Sequence, residues 1–203
     1  MERPLTTDFI PLETGTPIWN RFFTVAPLIV VGSKEGQGYD LAPKHMATPL
    51  GHKNYFGFVC TPLHSTYHNI KANGEFSVSF PLPDQTILAA LSATPRCGTA
   101  SGNKEIIKSI PTLKATKIDA LFVENSYLYL ECELYKIIDG FGEYSLISGN
   151  VVASFVHKDY LRVSEKDEQD QIYRHPLLAY LAHGRFASVS ETYNFPYPKD
   201  FKL

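Results

Sequence analysis

The sequence predicts a mainly β protein, a closed or nearly closed antiparallel barrel of six or seven strands with a few short helices at the connections. Two pairs of strand-like segments are each joined by a short glycine turn, as in β-hairpins. Helical segments are few and short, whereas a parallel α/β sheet needs a helix after each strand. With 203 residues, 44% of them hydrophobic, the chain is expected to form one domain over residues 1–203.

The first predicted hairpin joins Phe22–Gly32, which is rich in β-branched and aromatic residues, to the extended segment Tyr39–Leu50 through a turn at Gly36–Gly38. Pro43 and Pro49 lie in the second segment and cannot donate hydrogen bonds to a ladder. We therefore expect this strand at a sheet edge or a bulge.

The next part of the chain alternates strands and short helices. Tyr55–Cys60 and Phe76–Phe80 are predicted strands, and His64–Ala72 has the length of a short helix that ends before a glycine. Asp84–Ala93 is apolar at helical spacing after an aspartate that can cap a helix, and Lys104–Ser109 is expected to form a further short helix.

The longest β pattern is Tyr127–Ile138, in which apolar and polar residues alternate. A turn at Gly140–Gly142 leads into Tyr144–Val156, and the two segments form the second predicted hairpin. The remaining segments are a solvated loop, one or two helical turns and a final strand, at Ser164–Gln171, Pro176–Leu181 and Phe186–Thr192 respectively.

Charge and hydropathy exclude several classes of protein. The 19 Lys and Arg against 21 Asp and Glu give a net charge of −2, and their interspersed order leaves no basic surface for nucleic acid or an anionic membrane. The longest apolar stretch, Val25–Val31, is too short to span a bilayer, and Met1–Gly15 lacks the pattern of a secretory signal. The expected location is cytoplasmic.

The cysteine and histidine pattern predicts no metal site. Cys60, Cys97 and Cys132 are odd in number and widely spaced, which favours reduced core thiols over a disulfide framework or a zinc ribbon. His64 and His68 lie four residues apart and could share a helix face near Cys60, but a surface histidine and one that bonds backbone explain them better.

Common nucleotide and hydrolase motifs are missing from the sequence. Gly98–Lys104 has three residues between its glycines, and Asn103 separates the second glycine from the lysine, so it is not a phosphate-binding P-loop. The other glycine turns lack the third glycine of a dinucleotide fingerprint, and no serine lies in a G-x-S-x-G sequence. No catalytic residue is therefore assigned.

Two neighbouring segments favour a ligand site. Thr61–Asn69 places two consecutive hydroxyl residues at a helix start, which suits a phosphate group. The alternative is a plain helix cap that binds nothing. Asp40–Leu50 is extended and contains small residues, so its backbone can face a flat ligand; the alternative is an edge strand protected by proline and Lys44.

At these segments the chain resembles the flavin reductase-like family with an FMN-binding split barrel. The resemblance rests on Leu41–Gly51, Asn54–Pro62, Thr66–Asn69, Gly74–Phe76, Lys104, Leu130–Cys132, Leu146–Val152, Gly184–Ala187 and Phe195–Pro198, in the expected order from about Pro27 to Phe201. It implies a Greek-key split β-barrel, a homodimer, and FMN at the subunit interface.

The resemblance also implies the cofactor-binding residues. A segment along the flavin ring would comprise Pro43, Lys44, His45, Met46, Ala47 and Thr48, and the phosphate and ribityl chain would be held by Thr61, Ser65, Thr66 and Asn69. Lys104 matches a family lysine near the flavin, where a cation would stabilise the reduced ring; the alternative is a solvated lysine. His45 departs from the small hydroxyl residue that is common in the family.

The function implied is an FMN-dependent oxidoreductase that passes a hydride from NADH or NADPH through the flavin to an acceptor such as free flavin or a metal complex. The alternative is a flavin-binding electron-transfer protein with no nicotinamide activity, and a third possibility is a barrel that has lost its cofactor. A homodimer is also expected from the edge strand and from the aromatic residues Tyr55, Phe56 and Phe58, which are hard to bury in one barrel.

Overall fold

The computed structural model describes residues 8–95, 104–163, 166–182 and 184–199. Within these ranges the strands are β1 (Val25–Pro27), β2 (Ile29–Glu35), β3 (Gly38–Lys44), β4 (Ala47–Pro49), β5 (Tyr55–Cys60), β6 (Glu75–Phe80), β7 (Thr112–Lys114), β8 (Leu121–Val123), β9 (Leu128–Phe141), β10 (Tyr144–Val156), β11 (Leu177–Leu181) and β12 (Arg185–Val189). The helices are α1 (Ser65–Asn73), α2 (Thr86–Leu91) and α3 (Glu168–Arg174), with 3₁₀ turns at Pro83–Gln85 and Glu105–Ser109.

The main sheet has seven antiparallel strands in the order β3-β2-β6-β9-β10-β5-β4 and curls into a half-barrel. A second sheet has the order β1-β11-β12, and β7 pairs with β8. This arrangement confirms the mainly β prediction. The predicted strand Tyr39–Leu50 is divided into two, β3 and β4, and the edge position expected from its prolines is confirmed, because these strands form the two edges of the sheet.

Both predicted hairpins are present. Strands β2 and β3 pair from Ile29–Lys44 to Glu35–Gly38, and Gly36 between them adopts a positive φ of 55°. Strands β9 and β10 pair along their length, and the turn between them contains Gly142 at φ 65°. A left-handed backbone at these turns carries no steric penalty for glycine.

Helix α1 lies against the sheet close to its predicted position. It begins at Ser65, and Gly74 ends it with φ 74° while its N–H donates to the Ile70 carbonyl. The side chains of Thr66, Tyr67 and Ile70 are buried, so one face of α1 covers the half-barrel. The start of α1 is thereby fixed beside β3.

The core lies between α1 and the concave face of the main sheet. Its largest buried side chains include Phe58, Phe76 and Ile147, and the rings of Phe58 and Phe76 meet edge to face at 5.4 Å. Cys60 and Cys132 are free, buried members of the same cluster, as predicted, whereas Cys97 lies outside the described residues.

The prediction of helical turns at Pro176–Leu181 is wrong, because Leu177–Leu181 is strand β11. This strand pairs with β1 on one side and β12 on the other. Two ladders of hydrogen bonds therefore outweigh the modest helix preference of its leucines and alanine.

Three other boundaries differ from the predictions. Phe22–Gly32 is not one strand: β1 and β2 belong to different sheets and separate at Leu28. Within the predicted loop Ser164–Gln171, of which the first two residues lie outside the described ranges, α3 begins at Glu168 because the Asp167 side chain caps it. Asp84 lies in a 3₁₀ turn and does not cap α2.

The aromatic argument for a dimer is also wrong in part. Phe56 and Phe58 are buried within the single chain, and Tyr55 packs on Tyr135 at 4.8 Å. Large apolar side chains are instead exposed in the segments before β1 and after β12, for example Phe23 and Tyr193.

No helix within the described part of the chain has the length and apolarity needed to cross a membrane.

Candidate functional site

A cavity of about 490 Å³ lies between β3, the start of α1 and the end of α2. Strand β3 lines it with Asp40, Ala42, Pro43 and Lys44, and α1 contributes Ser65 and Thr66. Leu63 and His64, which precede α1, complete that side, and the remaining lining residues are Ser92, Ala93, Thr94, Pro95 and Lys104. Of the eleven residues predicted from the sequence, this cavity therefore brings together Pro43, Lys44, Ser65, Thr66 and Lys104.

A buried ion pair joins two sides of this cavity. The Lys104 ammonium lies 3.3 Å from Asp40 Oδ1, and the two side chains are 9% and 4% exposed. The same ammonium donates to the Leu41 carbonyl at 2.7 Å and to the Ser92 carbonyl. All three Lys104 donors are thus used, and they connect β3 to the end of α2, so the alternative of a solvated lysine is wrong.

The start of α1 opens on the cavity. His64 precedes the helix, and its side chain makes no capping hydrogen bond. The hydroxyl of Thr66 is buried and donates to Asp40 Oδ2 at 3.2 Å. Burial, and to a lesser extent the charge of Lys44, lower the pKa of His64, so this imidazole is neutral at pH 7.

Lys44 is the second cation of the cavity. Lys44 is only 9% exposed, and its ammonium lies beside the Cys60 thiol. Burial raises the pKa of Cys60, and the neighbouring Lys44 partly opposes that rise. At neutral pH the thiol is protonated and contributes no charge to compensate the lysine.

A second, smaller cavity of about 260 Å³ shares Pro43 and Lys44 with the first. Here His45 stacks on Tyr180, with ring centroids 4.5 Å apart. Apolar walls come from α2 and Phe186, and Arg185 adds a cationic side chain. Two cavities therefore meet at one segment of β3.

The remaining predicted residues lie outside the lining of both cavities. Met46 is half-exposed, Ala47 is buried in the core, and the exposed Thr48 hydroxyl donates to its neighbouring carbonyl. Thr61 accepts a hydrogen bond from the Leu63 amide at 3.3 Å.

The Asn69 side-chain amide donates to two side chains of β2. The acceptors are Ser33 Oγ and Glu35 Oε1, each at 3.3 Å.

Among the lining residues that sequence reasoning did not assign to the site are Asp40, Ser92 and Tyr180. Asp40 is the residue immediately before the matched segment, and its alternation with Ala42 and Lys44 along β3 is a signal that places all three on one face. Ser92 contributes through its carbonyl, which no sequence pattern indicates. Tyr180 was hidden by the incorrect helical prediction.

No three histidine, cysteine, aspartate or glutamate side chains lie close enough to hold a metal ion in the part of the chain that the structure describes. Cys60 and His64 lie near the same cavity, but no third side chain of these types joins them within the described ranges.

A comparison with models of known protein families finds a match. The model of the flavin reductase like domain matches residues 21–187. No curated protein matches the chain in sequence.

Several solved structures share the fold over nearly the whole length of both chains. Flavoredoxin from Methanosarcina acetivorans has a TM-score of 0.72 at 16% identity, covering 93% of this chain and 95% of that chain. An FMN-binding protein from Thermus thermophilus has a TM-score of 0.69 at 20% identity, covering 96% and 99%. The 2-nitrobenzoate 2-nitroreductase of Pseudomonas fluorescens has a TM-score of 0.71 at 18% identity, covering 88% and 87%.

These likenesses confirm the split β-barrel predicted from the sequence. The family match supplies the general class of function, which is flavin-related oxidoreduction or electron transfer. Because the match spans most of the chain and its fold agrees, the chain belongs to the family of proteins with a flavin reductase like domain.

Proposed function

We propose that the protein binds FMN in the cavity beside α1 and passes a hydride from NADH or NADPH through the flavin to an acceptor such as free flavin or a metal complex. The observation that carries this proposal is the convergence of a helix start, two lysines and a wall of small residues on one cavity, in a chain of this family. The fold relative from Thermus thermophilus is an FMN-binding protein, which supports FMN as the flavin.

The residues present fit such a cofactor. A volume of about 490 Å³ lies within the range of small-molecule sites. Among the described lining residues two lysines, Lys44 and Lys104, face one carboxylate, Asp40, and this balance favours an anion. Ala42 and Pro43 present little side-chain bulk, which suits a planar ring.

In this proposal the backbone at Pro43 and Lys44 lies along the ring, and Ser65, Thr66 and the first amides of α1 hold the phosphate. Thr61 and Asn69 lie outside this lining, and in this proposal they position the walls around the ribityl chain through their bonds to Leu63 and to β2. The bound flavin supplies the hydride chemistry, while the protein binds it, orients it and sets the charge around it. The second cavity, with its His45–Tyr180 stack and apolar walls, receives the planar donor or acceptor.

The colour of the purified protein tests this function. A yellow protein that bleaches anaerobically with NADH or NADPH is the expected result. Bleaching by dithionite alone would favour the electron-transfer alternative, and a protein that binds no added flavin would contradict the proposal.

We expect the Ser65→Ala, Thr66→Ala double variant to bind FMN about a hundredfold more weakly or worse, because each hydrogen bond to a charged group contributes roughly 1.5–3 kcal/mol. Riboflavin lacks the phosphate and should lose little affinity. Titration of apo-protein with both ligands measures the difference, and Ser154→Ala removes an exposed hydroxyl as a control. Equal losses for both flavins would show that the hydroxyls act through the fold, as the Thr66–Asp40 bond allows.

We further propose a homodimer, with residues 1–203 forming a single domain. Phe23, Tyr193 and Phe195 are each more than 70% exposed in one chain, and a partner subunit would cover such side chains. Sedimentation should give twice the mass of the chain. A monomer at micromolar concentration that still holds FMN would contradict a site shared between subunits.

A further inference from the structure

The two lysines of the cavity differ in how their charge is compensated. The Lys104 ammonium has an ion pair with Asp40 and two carbonyl acceptors, so this pair adds no net charge to the cavity. Among the described residues, no carboxylate forms an ion pair with Lys44. Among the lining residues that the structure describes, Lys44 is therefore the lysine that no carboxylate pairs with.

This charge is placed where burial is costly. Lys44 is 9% exposed, and its polar neighbour is a protonated thiol, that of Cys60. Burial of an unpaired ammonium is strongly unfavourable, and an anion in the same cavity relieves that cost. The site is thus built to receive a negatively charged group.

The position of Lys44 indicates which end of a ligand it meets. Asp40, Ala42 and Lys44 lie on the face of β3 that borders the start of α1. The charge of Lys44 reaches His64, the residue that precedes the helix, and the helix start itself favours anions. Lysine and helix terminus thus act on the same region of the cavity.

We propose that the Lys44 ammonium binds the phosphate monoester of the cofactor and selects FMN over riboflavin, whereas Lys104 is a positioning residue that holds Asp40. This inference rests on the proposed function, because it takes FMN as the ligand. The backbone of residue 44 can still face the ring, since only the side chain carries the charge.

The test compares flavin affinities of apo-protein in matched variants. In Lys44→Met we expect FMN affinity to fall about ten- to a hundredfold while riboflavin affinity changes less than about threefold. Lys44→Arg should retain most of the FMN affinity because it keeps the charge. Lys108→Met removes the same charge from an exposed site and should change neither ligand.

An equal loss for both flavins in Lys44→Met, or no loss for either, would overturn the assignment. A second measurement needs no flavin: inorganic phosphate should raise the melting temperature of the unliganded wild-type protein and not that of Lys44→Met. Absence of this protection in the wild type would count against an anion site at Lys44.

The two proposals fail in different ways. A wild-type protein that binds phosphate through Lys44 but no flavin would contradict the proposed function and the assignment of FMN, while it would support an anion site at Lys44. A wild-type protein that binds and reduces FMN, with an unchanged preference for FMN over riboflavin in Lys44→Met, would contradict this inference alone.

Discussion

Replacing Asp40 by alanine should destabilise the protein by about 3–5 kcal/mol, because it leaves the Lys104 ammonium buried without its counter-charge. The same change removes the acceptor of the Thr66 hydroxyl. Urea unfolding at pH 7 measures the loss. Glu105→Ala breaks an exposed pair with Lys108 and, as a control, should cost less than about 1 kcal/mol.

Removal of both charges separates the ion pair from the packing around it. The Asp40→Leu, Lys104→Met double variant should recover much of the stability that Asp40→Ala loses, since a buried pair replaced by apolar side chains is often close to neutral. A loss of less than about 1 kcal/mol in Asp40→Ala would contradict the burial of this pair.

Glu131→Ala should lower the free energy of unfolding by a similar amount, on the order of 4 kcal/mol. Glu131 is fully buried in β9, and its carboxylate accepts from the amides of Thr116, Lys117 and Ile118 at 3.0, 2.6 and 3.2 Å and from the Thr116 hydroxyl at 2.8 Å. Without the carboxylate, these donors have no partner. Urea unfolding again measures the change.

The acid side of the pH profile provides an independent check on Glu131. Burial acts to raise the pKa of its carboxyl, but the hydrogen bonds from the loop at residues 116–118 together outweigh it and lower the pKa below the ordinary value. The stabilisation is therefore complete above the unfolded pKa of about 4.3 and is lost as the pH falls through the folded value. The difference in melting temperature between wild type and Glu131→Gln should shrink below about pH 4. A difference that stays constant would contradict this assignment.

Local signals were sufficient for the elements whose ends are set by nearby residues. The left-handed Gly74 ends α1, and glycine turns join both hairpins, so these features were predictable from the sequence. Leu177–Leu181 is different: one of its two ladders is with β1, roughly 150 residues away in the chain. Strands β7 and β8, three residues each, are too short to produce a periodic pattern and were not predicted.

The candidate site was predictable to a similar degree. The segment around Pro43 and the hydroxyls of α1 were identified because their residue types carry the signal. The charge of the cavity could not be predicted, because it depends on which side chains pair in the folded chain. Asp40 and Lys104 are 64 residues apart in sequence, yet their side chains form an ion pair. Only the folded structure shows which of the two lysines has a carboxylate partner.

The second sheet has a consequence for the entropy of the folded chain. Strands β9 and β10 meet across a two-residue turn, whereas β1 and β11 pair residues roughly 150 positions apart, such as Pro27 and Ala179. Each doubling of a closed loop costs about 0.6 kcal/mol more chain entropy. Tyr180 and Arg185, which line the cavity proposed for the donor or acceptor, therefore belong to a sheet that forms only when segments roughly 150 residues apart have met.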